Sequence, residues 1–248
     1  MKNEGMFVWR ELMTSDVEAA KRYYGEVAGW KFKPVDMGGG FIYTLVLAGE
    51  KQVAGLMGTP PGQSTPPYWG SMVAVSDVDA ATARATSKGA KILMGPETGE
   101  GIGRWTVVMD PQGAVFTLFK GESEGEDLTM PKTGEFCWEH LNATDLDAAK
   151  DFYTHVVGWT VGEGAGAPVF KFGDRMAASL GQPPPGAPSH WLTYVATESL
   201  NDVNGRVTRN GGKVLMDRVE VPTMGHFSVT QDPQGATVCF FEPLPRQG

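Results

Sequence analysis

Glu11 and His140 are residues with acid or base chemistry that occupy equivalent positions in two similar stretches of the chain. Residues 7–30 return 129 positions later as residues 136–159, with 11 of 24 positions identical. Each stretch opens with an apolar run typical of a strand, and a titratable group on an inward strand face is costly unless it is paired or functional. Glu11 and His140 are therefore the candidate catalytic residues, as general acid and base. The alternative to a catalytic role is a structural one, in which each side chain makes a hydrogen bond at the boundary between domains or lies at a solvated rim.

The same strand faces supply candidates for ligand contact, because side chains two apart on a strand share a face. The predicted ligand-binding residues of these faces are Trp9, Met13, Trp138 and Asn142. Indole rings in such places suit an apolar or planar ligand, with simple filling of the space as the alternative.

The remaining ligand-binding candidates come from later strands. Trp69 and Trp191 form an equivalent pair, for which a purely architectural role is the alternative. His190 is placed to join His140 in a shifted metal site, but no Asp or Glu of the last strand lies on the strand face that such a site requires. His226 stands at the head of a strand and is a candidate for steering a ligand, with simple solvent exposure as the alternative.

Each copy is predicted to contain two βαβββ modules. TSDVEAA at residues 14–20 is echoed by VSDVDAA at 75–81, and both follow an apolar strand and open a helix. A second shared block, residues 103–119 and 225–241, ends each copy in two strands joined by a DPQG turn. In the second copy we expect helices over Leu146–Val157 and Leu200–Asn210. Pro-rich connectors at 59–67 and 182–188 join the modules.

An acidic stretch without apolar period separates the copies. It predicts a first domain over residues 1–122, a linker over 123–133 and a second domain over 134–248.

Charge and composition limit the classes of partner. The net charge is −8 and the chain has no run of basic residues, which argues against nucleic acid or an anionic membrane surface. The sequence shows neither a signal peptide nor an apolar stretch of membrane-spanning length, so a cytoplasmic protein is expected. The two cysteines, Cys137 and Cys239, lie in apolar runs and are expected to be reduced.

The paired modules, with their Ser-Asp or Thr-Asp caps, Gly-Trp helix exits and DPQG turns, resemble the vicinal oxygen chelate superfamily. That superfamily includes glyoxalase I, extradiol dioxygenases, and the fosfomycin and bleomycin resistance proteins. The resemblance covers nearly the whole chain and implies an α+β fold of tandem glyoxalase-like domains. Their four βαβββ modules would form curved mixed β-sheet cups with flanking helices. In that family His, His and Glu usually hold a divalent metal, which binds vicinal oxygens of the substrate as a Lewis acid.

Carried over by position, the ligands implied by the resemblance fall on residues that offer no imidazole or carboxylate. They are Trp9, Gly70 and Thr117 in the first copy, and Trp138, Leu192 and Cys239 in the second. No metal site and no cofactor is therefore predicted.

The sequence thus predicts a glyoxalase/bleomycin-resistance/dioxygenase-like protein that binds a small, partly hydrophobic molecule in β-sheet cups without the family triad. One alternative is a metal-dependent lyase or dioxygenase that holds Fe, Mn, Zn or Ni through relocated ligands, His140 and His190. Another is a non-catalytic interaction protein whose cups are closed by tryptophans. Cups can close within a copy or across copies, and a homodimer is left open.

Overall fold

The computed structural model describes residues 2–59, 65–123, 125 and 128–245. The connector predicted over 59–67 and the linker predicted over 123–133 therefore lie partly outside the described residues. None of the helices in the described ranges has the length and apolar character needed to span a membrane.

Each copy folds as two βαβββ modules, as predicted. In the first copy the elements are β1 (Phe7–Thr14), α1 (Val17–Ala28), β2 (Lys31–Asp36), β3 (Ile42–Ala48), β4 (Lys51–Gly58), β5 (Tyr68–Ala74), α2 (Val78–Ser87), β6 (Lys91–Gly99), β7 (Gly103–Met109) and β8 (Val115–Gly121). In the second copy they are β9 (Phe136–Asn142), α3 (Leu146–Val157), β10 (Thr160–Gly164), β11 (Ala167–Phe172), β12 (Arg175–Gly181), β13 (His190–Ala196), α4 (Leu200–Arg209), β14 (Lys213–Val221), β15 (Gly225–Gln231) and β16 (Thr237–Pro243). The bounds predicted for α3 are those observed.

Each of the two sheets takes its eight strands from one copy. The strand order is β2-β3-β4-β1-β5-β8-β7-β6 in the first and β10-β11-β12-β9-β13-β16-β15-β14 in the second. β1 pairs with β4 in parallel, and β3 pairs with β4 antiparallel. Within each sheet, the two modules of one copy are hydrogen-bonded neighbours through β1 and β5, or through β9 and β13.

The chain divides into two compact units, and each contains one module from each copy. The α2–α3 unit comprises Met1–Val8, Gly70–Thr129 and Glu139–Leu192, and the α1–α4 unit comprises Trp9–Trp69, Met130–Trp138 and Thr193–Gly248. Each unit has its own hydrophobic core, to which both copies contribute.

Helix α1 shows how the sequence builds the core of the α1–α4 unit. Asp16 caps the helix by accepting a hydrogen bond from the Ala19 backbone N–H, and Gly29 ends it in the left-handed conformation, with φ of 70°. Residues at helical spacing, among them Tyr24 and Val27, face the core.

A buried chain of hydrogen bonds joins three elements of the α1–α4 unit. Trp69 Nε1 donates to Tyr24 Oη at 2.9 Å, and Tyr24 Oη donates to Asp232 Oδ2 at 3.0 Å. Asp232 is the first residue of the second DPQG turn, and its Oδ1 accepts three backbone N–H groups of that turn. The buried carboxylate thereby has the partners that its removal from water requires.

The α2–α3 unit repeats this arrangement with the copies exchanged. Trp191 Nε1 donates to Tyr153 Oη, and Tyr153 Oη donates to Asp110 Oδ2, each at 3.0 Å. In both units a tyrosine from one copy is therefore bonded to the DPQG aspartate of the other copy.

The glutamine of each DPQG turn makes a second connection of this kind. Gln112 Oε1 accepts from the backbone N–H of Asp145 at 2.8 Å, and Gln112 Nε2 donates to the Asp145 carbonyl at 2.9 Å. Gln234 bonds the backbone of Asp16 in the same two ways, at 2.7 and 2.8 Å. Each turn thus fixes the start of a helix from the other copy.

Removing the Tyr24 hydroxyl tests the importance of the buried hydrogen-bond chain. Tyr24→Phe leaves Trp69 Nε1 and Asp232 Oδ2 without their partner, so we expect the free energy of unfolding to fall by about 1 to 3 kcal/mol. Tyr23→Phe is the matched control, because Tyr23 is also buried and its hydroxyl has no hydrogen-bond partner among the described residues. We expect that control to lose less than about 0.5 kcal/mol. Urea unfolding followed by tryptophan fluorescence measures both, and equal losses would contradict the role given to the chain.

Candidate functional site

The candidate site of the first copy is a group of four polar or aromatic side chains, which we call the carboxyl cluster: Trp9, Glu11, Tyr43 and Tyr68. Trp9 Nε1 donates to Tyr43 Oη at 2.9 Å, and Tyr43 Oη donates to Glu11 Oε1 at 2.7 Å. The cluster brings together the predicted residues Trp9 and Glu11. Tyr43 was not predicted.

Strand register and a glycine place the Tyr43 ring beside Glu11. Gly55 of β4 lies opposite Glu11 of β1 and opposite Leu45 of β3. A Cβ atom at Gly55 would overlap the Tyr43 hydroxyl and ring, so only glycine leaves room for this arrangement. The equivalent position in the second copy is Ser179, which lies opposite His140.

Burial controls the ionisation of the carboxyl cluster. It raises the pKa of the Glu11 carboxyl, and the hydrogen bond from Tyr43 offsets part of that rise. Burial also raises the pKa of the Tyr68 hydroxyl, and the nearby Glu11 carboxylate raises it further. The two tyrosines are therefore neutral donors, and Glu11 is the group that can change its protonation.

The candidate site of the second copy is the imidazole cluster, formed by His140, Asn142, Ser179 and His190. His140 Nδ1 lies 2.7 Å from Ser179 Oγ, and Asn142 Nδ2 lies 3.2 Å from His190 Nε2. His190 Nδ1 lies 2.8 Å from the Pro188 carbonyl oxygen. The structure thus joins three predicted residues and adds Ser179, which sequence reasoning missed.

Burial lowers the pKa of His140 to about 4, with a smaller effect in the same direction from His190. A hydrogen bond with Asn142 acts in the opposite direction. His140 is therefore a neutral imidazole at pH 7. Gly181 keeps the space beside the ring open, because a Cβ atom there would lie 3.1 Å from its Cε1 and Nε2 atoms.

The other predicted ligand-binding residues lie in different surroundings. Met13 and Trp138 are partly exposed. Trp69 and Trp191 are buried in the two cores, where they bond Tyr24 and Tyr153. Side chains alternate between the two faces of a strand. Trp69 therefore lies on the face opposite Tyr68, and Trp191 on the face opposite His190.

His226 of β15 is partly exposed and lies opposite Glu242 of β16. Glu242 in turn accepts from Arg218 at 2.9 Å and from the backbone N–H of Leu200 at 2.7 Å. Within the described residues, no three His, Cys, Asp or Glu side chains are grouped so that they could hold a metal ion. Neither of the two described cysteines is in a disulfide, and Cys239 is buried and Cys137 partly so.

Two sheets of paired βαβββ modules define a tandem glyoxalase-like protein. The family model of the Glyoxalase/Bleomycin resistance protein/Dioxygenase superfamily matches residues 7–118 and 137–240, and the chain belongs to this superfamily.

Among its relatives is the protein named "Putative glyoxylase CFP32" of Mycobacterium tuberculosis (strain CDC 1551 / Oshkosh). The two are 32% identical over 249 residues, which cover 96% of this chain and 95% of the relative. The anthracycline biosynthesis protein DnrV of Streptomyces peucetius is 30% identical over 254 residues, covering 94% of this chain and 91% of that protein.

Solved structures share the fold. The Mn(II)-bound glyoxalase from Novosphingobium aromaticivorans superposes with a TM-score of 0.63 at 18% identity, covering 99% of this chain and 84% of that one. The 2,2',3-trihydroxybiphenyl 1,2-dioxygenase from Sphingomonas wittichii strain RW1 gives 0.63 at 15% identity, covering 96% and 90%.

Gly55→Ala tests the packing of the carboxyl cluster. The added methyl group would displace the Tyr43 ring, so we expect the free energy of unfolding to fall by about 1 to 3 kcal/mol. In a Tyr43→Ala background the same change should cost far less, which a double-mutant cycle by urea unfolding measures. Gly58→Ala on the same strand is the control, because its Cβ would meet Val17 at an ordinary 3.7 Å. Additive effects at Gly55 and Tyr43 would contradict the packing.

The low pKa of His140 predicts how its ring titrates. In the folded protein the ring should stay neutral until the pH nears 4, and in urea it should titrate near the ordinary value of 6.5. Because the unfolded state binds this proton more readily, the contribution to stability is complete above pH 6.5 and is lost as the pH falls toward 4. The loss is at most about 3 kcal/mol, since part of the ring is exposed. NMR titration of the ring measures the pKa, and titration near 6.5 in the folded state would contradict the expected burial.

Proposed function

We propose that this chain binds a small, partly hydrophobic molecule at the carboxyl cluster, with Glu11 as the polar contact. The observation that carries the proposal is the hydrogen-bond chain from Trp9 through Tyr43 to Glu11 Oε1. Tyr43 is the only side-chain hydrogen-bond partner of Glu11 among the described residues, and we assign the other oxygen, Oε2, to the ligand. The carboxyl is held in one orientation before the ligand arrives, which reduces the entropy lost on binding.

The residues around Glu11 limit the chemistry of the ligand. The rings of Trp9, Tyr43 and Tyr68 provide aromatic surface, which favours a planar or apolar body. Glu11 favours a hydroxyl or N–H group on that body, because hydrogen bonds to ionised acceptors are the strong ones. The names of the relatives, a glyoxylase and an anthracycline biosynthesis protein, are consistent with a small-molecule ligand.

The family's metal does not fit the residues at its usual positions. Those positions carry Trp9, Gly70 and Thr117 in the first copy and Trp138, Leu192 and Cys239 in the second. Divalent metals of this class need imidazole or carboxylate ligands, and neither set offers one. The proposed binding therefore uses no step through a metal.

General acid–base chemistry at Glu11 is a second candidate function. Burial raises the pKa of its carboxyl, and a carboxyl group with a raised pKa is a better proton acceptor. A ligand hydroxyl or enol held at Oε2 would be the partner in that transfer.

Binding can be tested with 2-naphthol, a planar molecule with one hydroxyl group, and 2-methoxynaphthalene, which lacks the donor. We expect Glu11→Gln to weaken the binding of 2-naphthol about tenfold, because a charge-assisted hydrogen bond is lost, and to leave 2-methoxynaphthalene unchanged. His140→Gln, the equivalent change in the second copy, is the control and should alter neither constant. Calorimetric titration measures the binding constants of all three proteins for both ligands, and equal affinities of wild type and Glu11→Gln for 2-naphthol would refute the assignment.

Two further measurements separate the alternatives. If Glu11 also transfers protons, deuterium from D₂O should enter C1 of bound 2-naphthol faster with the wild type than with Glu11→Gln. If instead His140 and His190 hold a relocated metal, protein purified without chelators should contain stoichiometric Fe, Mn, Zn or Ni that is lost in His140→Ala. The second result would replace the metal-free proposal.

A further inference from the structure

We propose that the imidazole cluster is a second, nucleophilic site, in which Ser179 attacks esters with good leaving groups and His140 is its general base. Ser179 Oγ lies 2.7 Å from His140 Nδ1, within the range expected of a nucleophile and its base. Asn142 orients the base, as the third group does in nucleophilic triads. The proposal concerns the second copy and does not depend on ligand binding at Glu11.

The direction of each hydrogen bond follows from the groups that can only donate or can only accept. The Pro188 carbonyl can only accept and the Asn142 Nδ2 can only donate, so His190 donates from Nδ1 and accepts at Nε2. Asn142 therefore has its oxygen left for His140. Because Nδ1 of His140 faces Ser179, we assign the proton of neutral His140 to Nε2, toward Asn142, so that Nδ1 accepts the serine proton.

Each group in the cluster is thus held by the next. Asn142 is buried, and His190 fixes its amide, while the Pro188 carbonyl fixes His190. Both ring nitrogens of His190 have hydrogen-bond partners, and Nδ1 of His140 faces Ser179 Oγ. Ser179 and His140 are partly exposed, which gives a small ester access.

The reaction is balanced with water as the only co-reactant. Ser179 Oγ bonds to the ester carbonyl carbon while His140 Nδ1 takes the hydroxyl proton. The bond to the leaving alcohol then breaks, and that proton leaves with the alcohol oxygen. Water attacks the resulting acyl-serine, gives a proton to His140, and releases the acid as Ser179 regains its proton.

The first copy lacks this chemistry at every equivalent position. Glu11 replaces His140, Met13 replaces Asn142, Gly55 replaces Ser179 and Tyr68 replaces His190. The nucleophilic site is therefore a property of the second copy alone.

Burial makes His140 a weak base, since its pKa is lowered to about 4. The ring is fully deprotonated at neutral pH, but proton removal has less driving force than with an ordinary histidine. We therefore expect a slow, stoichiometric acylation and slow turnover, and an activated phenyl ester is the fitting substrate class.

The test uses the full chain with 4-nitrophenyl acetate. We expect a burst of about one equivalent of 4-nitrophenolate per chain and a single acetyl group on Ser179, located by peptide mass spectrometry. Ser179→Ala should abolish both, and Ser87→Ala, on the exposed end of α2, should change neither. Acetylation at other residues with no adduct on Ser179 would overturn the proposal.

The roles of the base and its positioning residue need separate readouts. With His140 the acylation rate should not vary between about pH 5 and 8, because the base is already deprotonated. His140→Gln should lower the rate at least about 100-fold and leave a residual rate that rises with pH. Asn142→Asp keeps the acceptor that faces His140 and should retain most of the rate, whereas Asn142→Leu should lose it. Equal rates in His140→Gln and wild type, or equal losses in both Asn142 variants, would contradict these roles.

Discussion

The hydrogen bond between a buried tyrosine and the aspartate of a DPQG turn is the interaction on which the rest of the structure depends. It occurs twice, as Tyr24 with Asp232 and Tyr153 with Asp110, and each time a tryptophan completes the chain. The tyrosine belongs to one copy and the aspartate to the other. A single copy would therefore bury a tyrosine hydroxyl without its carboxylate, at a cost of about 1 to 3 kcal/mol, and would lose half of each core. Both copies are thus needed to complete each core.

This scaffold leaves the other face of the opening strands free to diverge. The residues of β1 and β9 that face the cores keep the repeat, as Leu12 and Leu141 show, since both are fully buried. Glu11 and His140 directly precede these leucines and therefore lie on the opposite face of each strand, and their residue types differ. The residues opposite them differ as well. Gly55 leaves room for the Tyr43 ring beside Glu11, whereas Ser179 contacts the His140 ring. Paired differences on neighbouring strands therefore distinguish the carboxyl cluster from the imidazole cluster.

The fold could be predicted from the sequence because its signals are local and occur twice. The caps, the helical spacing and the DPQG turns recur at fixed offsets, which is why the βαβββ modules were predicted and the bounds of α3 agree. The indole rings of Trp69 and Trp191 were predicted to contact ligand, and strand parity already placed them on the face opposite Tyr68 and His190. Their burial in the cores follows from that parity.

The partners in the two clusters were not predicted, because they depend on which residues of a neighbouring strand lie opposite Glu11 and His140. The offset between copies falls from 129 to 122 between the two shared blocks, and Gly55 and Ser179 are related by an intermediate offset of 124. The pairing of Glu11 with Gly55 and of His140 with Ser179 establishes that equivalence in three dimensions. Tyr43 and Ser179 are ordinary residues in the sequence, and they become candidates only when a neighbouring strand places them against a buried carboxyl or imidazole. The chemistry of each copy is therefore decided by the pair across β1 and β4, or β9 and β12, and a change in one member of the pair has a use only if the other changes with it.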